Sequence, residues 1–181
     1  DSLATDPRVK AVIDLSLVEI NDLLHDGICS AGPDRGMAAI RAGVPLVIAP
    51  GNCDFYIMPS TMAVGGSPFG GRRFHIHNAA LTAVRTTPAD LERLADHLAG
   101  MFAEAKGPVT FAIPLQGFSS HDSPEGHLQD TGVPPVFAEY VRKTMPKNVN
   151  VRVLDAHIND AAFAQLIVDT VLQSVEEGAA A

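Results

Sequence analysis

Only two cysteines, Cys29 and Cys53, occur in 181 residues. Neither belongs to a CxxC pair or a zinc-finger spacing, so a disulfide framework or a thiolate-held zinc is excluded as the basis of the fold. The spacing leaves a single bridge open; free thiols in a reduced intracellular setting are the simpler reading. No apolar run approaches the roughly 18 residues that span a bilayer. Residues 1–10 are polar, unlike a signal peptide. A soluble, cytoplasmic protein with no membrane partner is therefore expected. Basic residues are also scarce, 13 against 21 acidic, for a formal charge of −8. Phosphate binding needs a basic surface to release counterions, so nucleic acid is not expected as a partner. There is no GxGxxG, and the Gly-rich stretch at 65–71 lacks the Lys-Ser/Thr of a P-loop.

What is present is a chain that is 46% hydrophobic and 19% charged, enough to bury one core without staples. Apolar runs alternate with amphipathic stretches, the pattern of βαβ units. Strands are predicted over 9–15, 44–49, 72–77, 108–115 and 149–155, each apolar enough to be buried on both faces. Helices are predicted over 18–24, 33–42, 88–105, 134–145 and 161–176. The 88–105 helix has the clearest ends: Thr87 as N-cap, Pro88 in the first turn, Asp90 completing a capping box, and Gly107-Pro108 as a stop. Two long irregular segments, 50–71 and 116–132, read as binding loops or lids. The expectation is a single α/β domain over 1–177, a Rossmann-like three-layer sandwich on a mostly parallel sheet of about five strands, with 178–181 fraying. The chain begins at Asp1, in the manner of a fragment or a processed product.

Ligands of open α/β sheets bind beyond the carboxyl ends of the strands, and here those positions are polar. Ser30-Ala31-Gly32-Pro33-Asp34-Arg35 precedes a predicted helix, where free amides and Arg35 suit a phosphate or carboxylate. A plain turn with an acidic first position explains the same residues equally well. His75 and His77, two apart in a strand, share a face and, with Asp155 and His157, offer a His/Asp set for a divalent metal. Without a metal, Asp155 or His157 suits a general base, while Asn159 and Asp160 read first as caps of the last helix. Cys53 invites a nucleophile reading, although a free loop thiol accounts for it more simply. Arg72 and Arg73 follow the Gly-rich stretch as arms of a lid closing on an anion. His25 and His97 read as surface or boundary residues.

Taken in order, SAGPDR (30–35), VPLVIAPGNCDF (44–55), GRRFHIHN (71–78), VRTTP (84–88), GPVTFAIPLQGFSSHD (107–122) and DAHIND (155–160) resemble the second half of the tomato mosaic virus resistance protein family, the Tm-one-like ATP-binding proteins. The likeness covers nearly the whole chain. It implies a Rossmann-like domain that follows another α/β half in one polypeptide, ATP with Mg as cofactor, and an interaction role for a plant member that inhibits a viral replication protein. Family motifs fall on Ser30, Gly32, Asp34, Arg35, Gly51, Asp54, Asn78, Arg85 and Gly117 as candidate ligand contacts, and on Thr86 and Gln116 without a particular role. They also fall on His75, His77, Asp155, His157, Asn159 and Asp160, of which Asp155, His157 and His77 are the catalytic candidates. Cys53 and 56–66 depart from the family pattern. The function expected is small-molecule or nucleotide binding within an ATP-dependent or phosphoryl-handling enzyme. The alternatives are a metal- or His/Asp-dependent enzyme acting on a small carboxylate or carbonyl compound, or an interaction module. The expected partners are the protein's own N-terminal half and further copies in a homo-oligomer.

Overall fold

A computed structural model describes residues 2–65 and 68–180. Four parallel strands form the main sheet in the order β1 (Val12–Ser16), β2 (Leu46–Gly51), β6 (Val109–Pro114), β7 (Val149–Leu154). The central pair, β2 and β6, is buried at every position, as their unbroken apolar sequences require. The outer pair is not buried on both faces: along β1 half-buried and exposed positions alternate, because the helix layers pack chiefly on β2 and β6. Ile13 and Leu15 on β1 stay 48% and 41% exposed.

Helices α1 (Val18–Leu24), α2 (Met37–Ala42), α3 (Pro88–Ala103) and α4 (Val133–Thr144) contribute to one large core with Leu46, Ile48, Phe111 and Ile113 of the sheet. The opposite face is covered by α5 (Ala161–Ala180), whose Phe163 and Ile167 pack on Val47, Ala49 and Ala112. The result is a three-layer, Rossmann-like α/β fold. The Thr87–Asp90 capping box of α3 forms as expected. No helix among the described residues is long and apolar enough to cross a membrane.

The main sheet has four strands, not five. Residues 72–77 contribute instead to a separate antiparallel sheet, ordered β3 (Phe55–Pro59), β5 (Leu81–Arg85), β4 (Phe74–Ile76). The 50–71 segment is accordingly not one irregular loop: β3 runs through it. Strands of three to five residues around a tight turn carry too little periodicity to stand out locally. The turn is made by Asn78, whose Oδ1 accepts from the amides of Ala80 (2.8 Å) and Leu81 (2.9 Å). Helix α2 is shorter than expected, since residues 33–36 form a turn and helix begins only at Met37. In the other direction α5 runs on to Ala180. Ala181 of the expected frayed tail, and Gly66 and Ser67 of the Gly-rich stretch, lie outside the described residues.

Candidate functional site

A crevice of about 270 Å³ opens at the carboxyl ends of β1, β2 and β6. Leu15 and Ile158 are apolar walls; Ser16, Asn52, Ser119, Ser120 and Asn159 supply hydrogen-bonding groups. Asn52 Nδ2 donates to Ser16 Oγ at 2.9 Å, and the Asn52 amide donates to the Phe118 carbonyl at 2.9 Å, which ties the β2 end to the segment after β6. Two glycines permit the close approach of these chain ends. A Cβ on Gly51 would sit 1.9 Å from the Leu15 carbonyl oxygen, and one on Gly117 would sit 2.2 Å from that of Asp122.

His157 stands beside the crevice with both ring nitrogens engaged. The Asn159 amide can only donate, so Nδ1 accepts from it (3.2 Å) and Nε2 carries the hydrogen toward the Ser119 carbonyl (3.0 Å). Asp155 is held by Gln116, whose Nε2 donates to Oδ1 at 2.5 Å, and Asp160 Oδ2 accepts from the His157 amide at 2.8 Å. These residues brace the carboxyl ends of β6 and β7 against each other.

Arg35 makes a fork onto Asp14, with Nη1 to Oδ2 at 2.5 Å and Nη2 to Oδ1 at 2.9 Å, and also donates to the Ser16 carbonyl. Its guanidinium is therefore a strut between the 30–36 turn and β1. Gly32 donates its amide to Ser30 Oγ (3.2 Å), and Asp34 accepts from exposed Arg41 (3.0 Å). With only six residues of helix following, this turn lacks the macrodipole expected of an anion site.

Asp54 and Arg85 lie inside the protein. Ser119 Oγ donates to Asp54 Oδ2 at 2.7 Å, Arg85 Nη1 donates to the Asp54 carbonyl at 3.1 Å, and Arg85 Nη2 lies 3.3 Å from Asp122 Oδ1. One guanidinium thus serves two buried carboxylates. Burial, reinforced by Asp122, pushes Asp54 up to about 7 against the pull of Ser119 and Arg85. Thr86 Oγ1 donates to the Cys53 carbonyl at 2.9 Å, closing this node. Cys53 is fully buried and its thiol is pushed well up by that burial, which removes the nucleophile reading. Both cysteines are free.

The arginines after the Gly-rich stretch are engaged as well. Arg72 pairs with Asp90 at the start of α3, and Arg73 Nη2 donates to the carbonyls of Leu128 (2.6 Å) and Gln129 (2.7 Å). His25 is not a surface residue: its side chain is 6% exposed, stacks on Tyr56 and puts Nε2 3.1 Å from Asp90 Oδ1.

His75 and His77 do share a face, and their ring contacts are with His121 and His127 of the 116–132 segment. Sequence reasoning placed His121 in a polar segment but gave it no role, and did not single out His127, Asp122 or Asp22. Strand alternation was the available signal for the histidine face; the path of the covering loop was not legible. Among the described residues, no three or more histidine, cysteine, aspartate or glutamate side chains are placed to hold a metal ion.

The model for the C-terminal domain of an uncharacterised protein family, UPF0261, matches residues 1–175. The chain belongs to the UPF0261 family. A UPF0261 protein of Mesorhizobium japonicum is 33% identical over 171 residues, covering 92% of this chain and 42% of the relative. One from Brucella suis is 28% identical over 178 residues, with 98% and 42% covered. The tomato (Solanum lycopersicum) ToMV resistance protein Tm-1(GCR237) is 26% identical over 167 residues, covering 91% of this chain and 22% of that protein. The chain thus spans about two fifths of the bacterial UPF0261 relatives and about a fifth of the tomato protein, and the family resemblance read from its motifs stands.

Proposed function

We propose that this UPF0261 domain binds a small polar or anionic molecule in the crevice at the carboxyl ends of β1, β2 and β6, as the ligand-holding part of an ATP-dependent or phosphoryl-handling enzyme. The observation that carries this reading is the crevice itself. Five uncharged hydrogen-bonding side chains line it, at the place where open α/β sheets take their ligands, and its roughly 270 Å³ is suited to a small molecule. The amino end of the 20-residue helix α5 adjoins it through Asn159 and favours a negative group on the ligand. ATP with Mg is the co-substrate proposed for the whole protein. Its contacts would be shared with the part of the longer relatives that this chain does not span.

Calorimetric titration of the chelator-treated chain with ATP and Mg tests the reading. Saturable one-to-one binding that weakens about tenfold in Ser16→Ala or Asn159→Ala, the worth of one or two lost hydrogen bonds, is the expected result. Absence of saturable heat from a folded chain overturns nucleotide binding here, and affinity unchanged in both variants overturns the crevice. The gathering of four histidine rings beside the small sheet is the observation that favours a second reading, a His/Asp-dependent enzyme acting on a small carboxylate or carbonyl compound.

A further inference from the structure

The two buried carboxylates that share the Arg85 guanidinium are not equally served. Asp122 Oδ1 lies 3.3 Å from Arg85 Nη2, and Asp122 also accepts from the amides of Asp130 (2.9 Å) and Phe118 (3.3 Å). Asp54 is fully buried and its Oδ2 is 3.8 Å from Arg85 Nη1. Among the described residues its Oδ1 has no hydrogen-bond partner, and its Oδ2 meets one hydroxyl, Ser119 Oγ, at 2.7 Å. The charged groups facing Asp54 are thus Arg85 from β5 and Asp122 from the Ser120–Asp122 turn, with the neutral thiol of Cys53 beside it in the chain. One buried cation does not neutralise two carboxylates, so the carboxylate with fewer donors is the one that keeps a proton. The rise of Asp54 to about 7 agrees with that assignment.

Ser119 connects that proton to the crevice. The residue is buried, yet it forms part of the crevice wall. Its place is fixed from two sides: the His121 amide donates to Oγ at 3.0 Å, and His157 Nε2 donates to its carbonyl at 3.0 Å. A serine hydroxyl has one hydrogen to give and two acceptor sites, and the His121 amide fills one of those sites. With Asp54 ionised, the hydroxyl hydrogen is spent on Asp54 and only a lone pair is left for the crevice. With Asp54 protonated, the acid donates along the same 2.7 Å contact and fills the second acceptor site. The Ser119 hydrogen is then released toward the crevice.

We propose that Asp54 and Ser119 make the crevice select a fully ionised oxyanion, which accepts the Ser119 hydrogen and binds together with one proton held by Asp54. A carboxylate, phosphate or sulfate group has this chemistry, since each accepts hydrogen bonds and, when ionised, has none to give. Ser119 is the contact to the ligand; Asp54 touches no ligand and is a positioning residue. Linkage gives the sign. The bound anion holds the proton on Asp54, so anion affinity is greatest below about pH 7 and falls as pH rises through it. This inference rests on the reading of the crevice as the ligand site and adds to it the charge of the ligand and the proton taken up with it.

The test titrates the chain with sodium sulfate at constant ionic strength, at about pH 6 and about pH 8, following the amide signals of Ser120 and Asn159 by NMR. Sulfate gains and loses no proton in this range, so any linkage comes from the protein. The parent is expected to bind about fivefold more weakly at the higher pH. In Asp54→Asn the side-chain amide donates to Ser119 at both pH values, and that ratio should shrink to about twofold or less. Ser119→Ala should lose about tenfold at the lower pH, where a neutral Asp54 exerts no charge repulsion. Parental affinity of Ser119→Ala at the lower pH overturns the coupling, even where Asp54→Asn folds poorly. So does the parent's full pH ratio persisting in Asp54→Asn, and both results leave the crevice standing as an anion site. Sulfate that shifts neither amide of the parent at either pH overturns the crevice reading and this inference together.

Discussion

The four-stranded parallel sheet and the three-stranded antiparallel sheet hold together by different means. The first buries β2 and β6 completely and packs four helices against one face, in a core that includes Phe102, Phe111 and Phe137. The second has a small buried apolar cluster, Phe55, Ala83 and Leu128, and is fastened to the body by polar groups. Arg85 joins Asp54 and Asp122, Arg72 reaches Asp90, and Asp22 accepts from the amides of Cys29 (2.7 Å) and Ile57 (2.8 Å). The first region therefore rests on apolar burial, whereas the second rests on ionisable groups, whose contribution depends on pH. The histidine cluster lies in the second, and the crevice lies at the border, with Ser119 belonging to both crevice and charge node.

That comparison can be broken from either side. Phe111→Ala empties the middle of the parallel sheet and should cost about 4 kcal/mol of unfolding free energy, read from urea denaturation. Arg85→Met leaves two carboxylates buried without their cation and should cost about 3 kcal/mol. A cost below about 1 kcal/mol would mean that the node is not what docks the small sheet.

The pH dependence sharpens the contrast further. Asp54, raised to about 7, keeps a proton in the folded chain that the unfolded chain releases near pH 4. It lowers stability as pH rises from about 4 to 7, by at most about 1.4 kcal/mol per pH unit. Other groups titrate in that window, so the measurement is the difference in melting behaviour between the parent and Asp54→Asn. The asparagine variant should gain on the parent steadily up to about pH 7 and no further. A pH-independent difference would show Asp54 to be ionised throughout. The smallest effect is expected at Thr87→Ala, which removes the α3 cap and should cost about 1 kcal/mol by thermal or urea melting.

Much of the first region was legible before any coordinates. Its helices announce themselves through stripes such as Leu91, Leu94, Ala95, Leu98 and Phe102, and the Thr87–Asp90 box marks a helix start. The second region was misread as loop plus one parallel strand. Its strands are short, Asn78 serves as a turn residue, and its polar side chains are buried by contacts between distant segments, a property no local pattern displays. The candidate site divides the same way. Ser16, Asn52, Ser119 and Asn159 stand at strand ends that the rule for α/β sheets points to, and they do line a crevice. Arg35, Asp54 and Arg85 look like ligand-binding residues by type, yet their partners are Asp14, Ser119 and Asp122.

The sequence by itself determined the α/β class, the helices with their caps, the burial of the central strands and the family, because these depend on short-range periodicity and on motifs in a fixed order. Tertiary structure alone decided which polar residues meet. Whether a histidine faces solvent, a carboxylate or another imidazole depends on the path of a loop. Here Arg73 and the buried Leu128 set that path, bringing His121 and His127 onto the strand that carries His75.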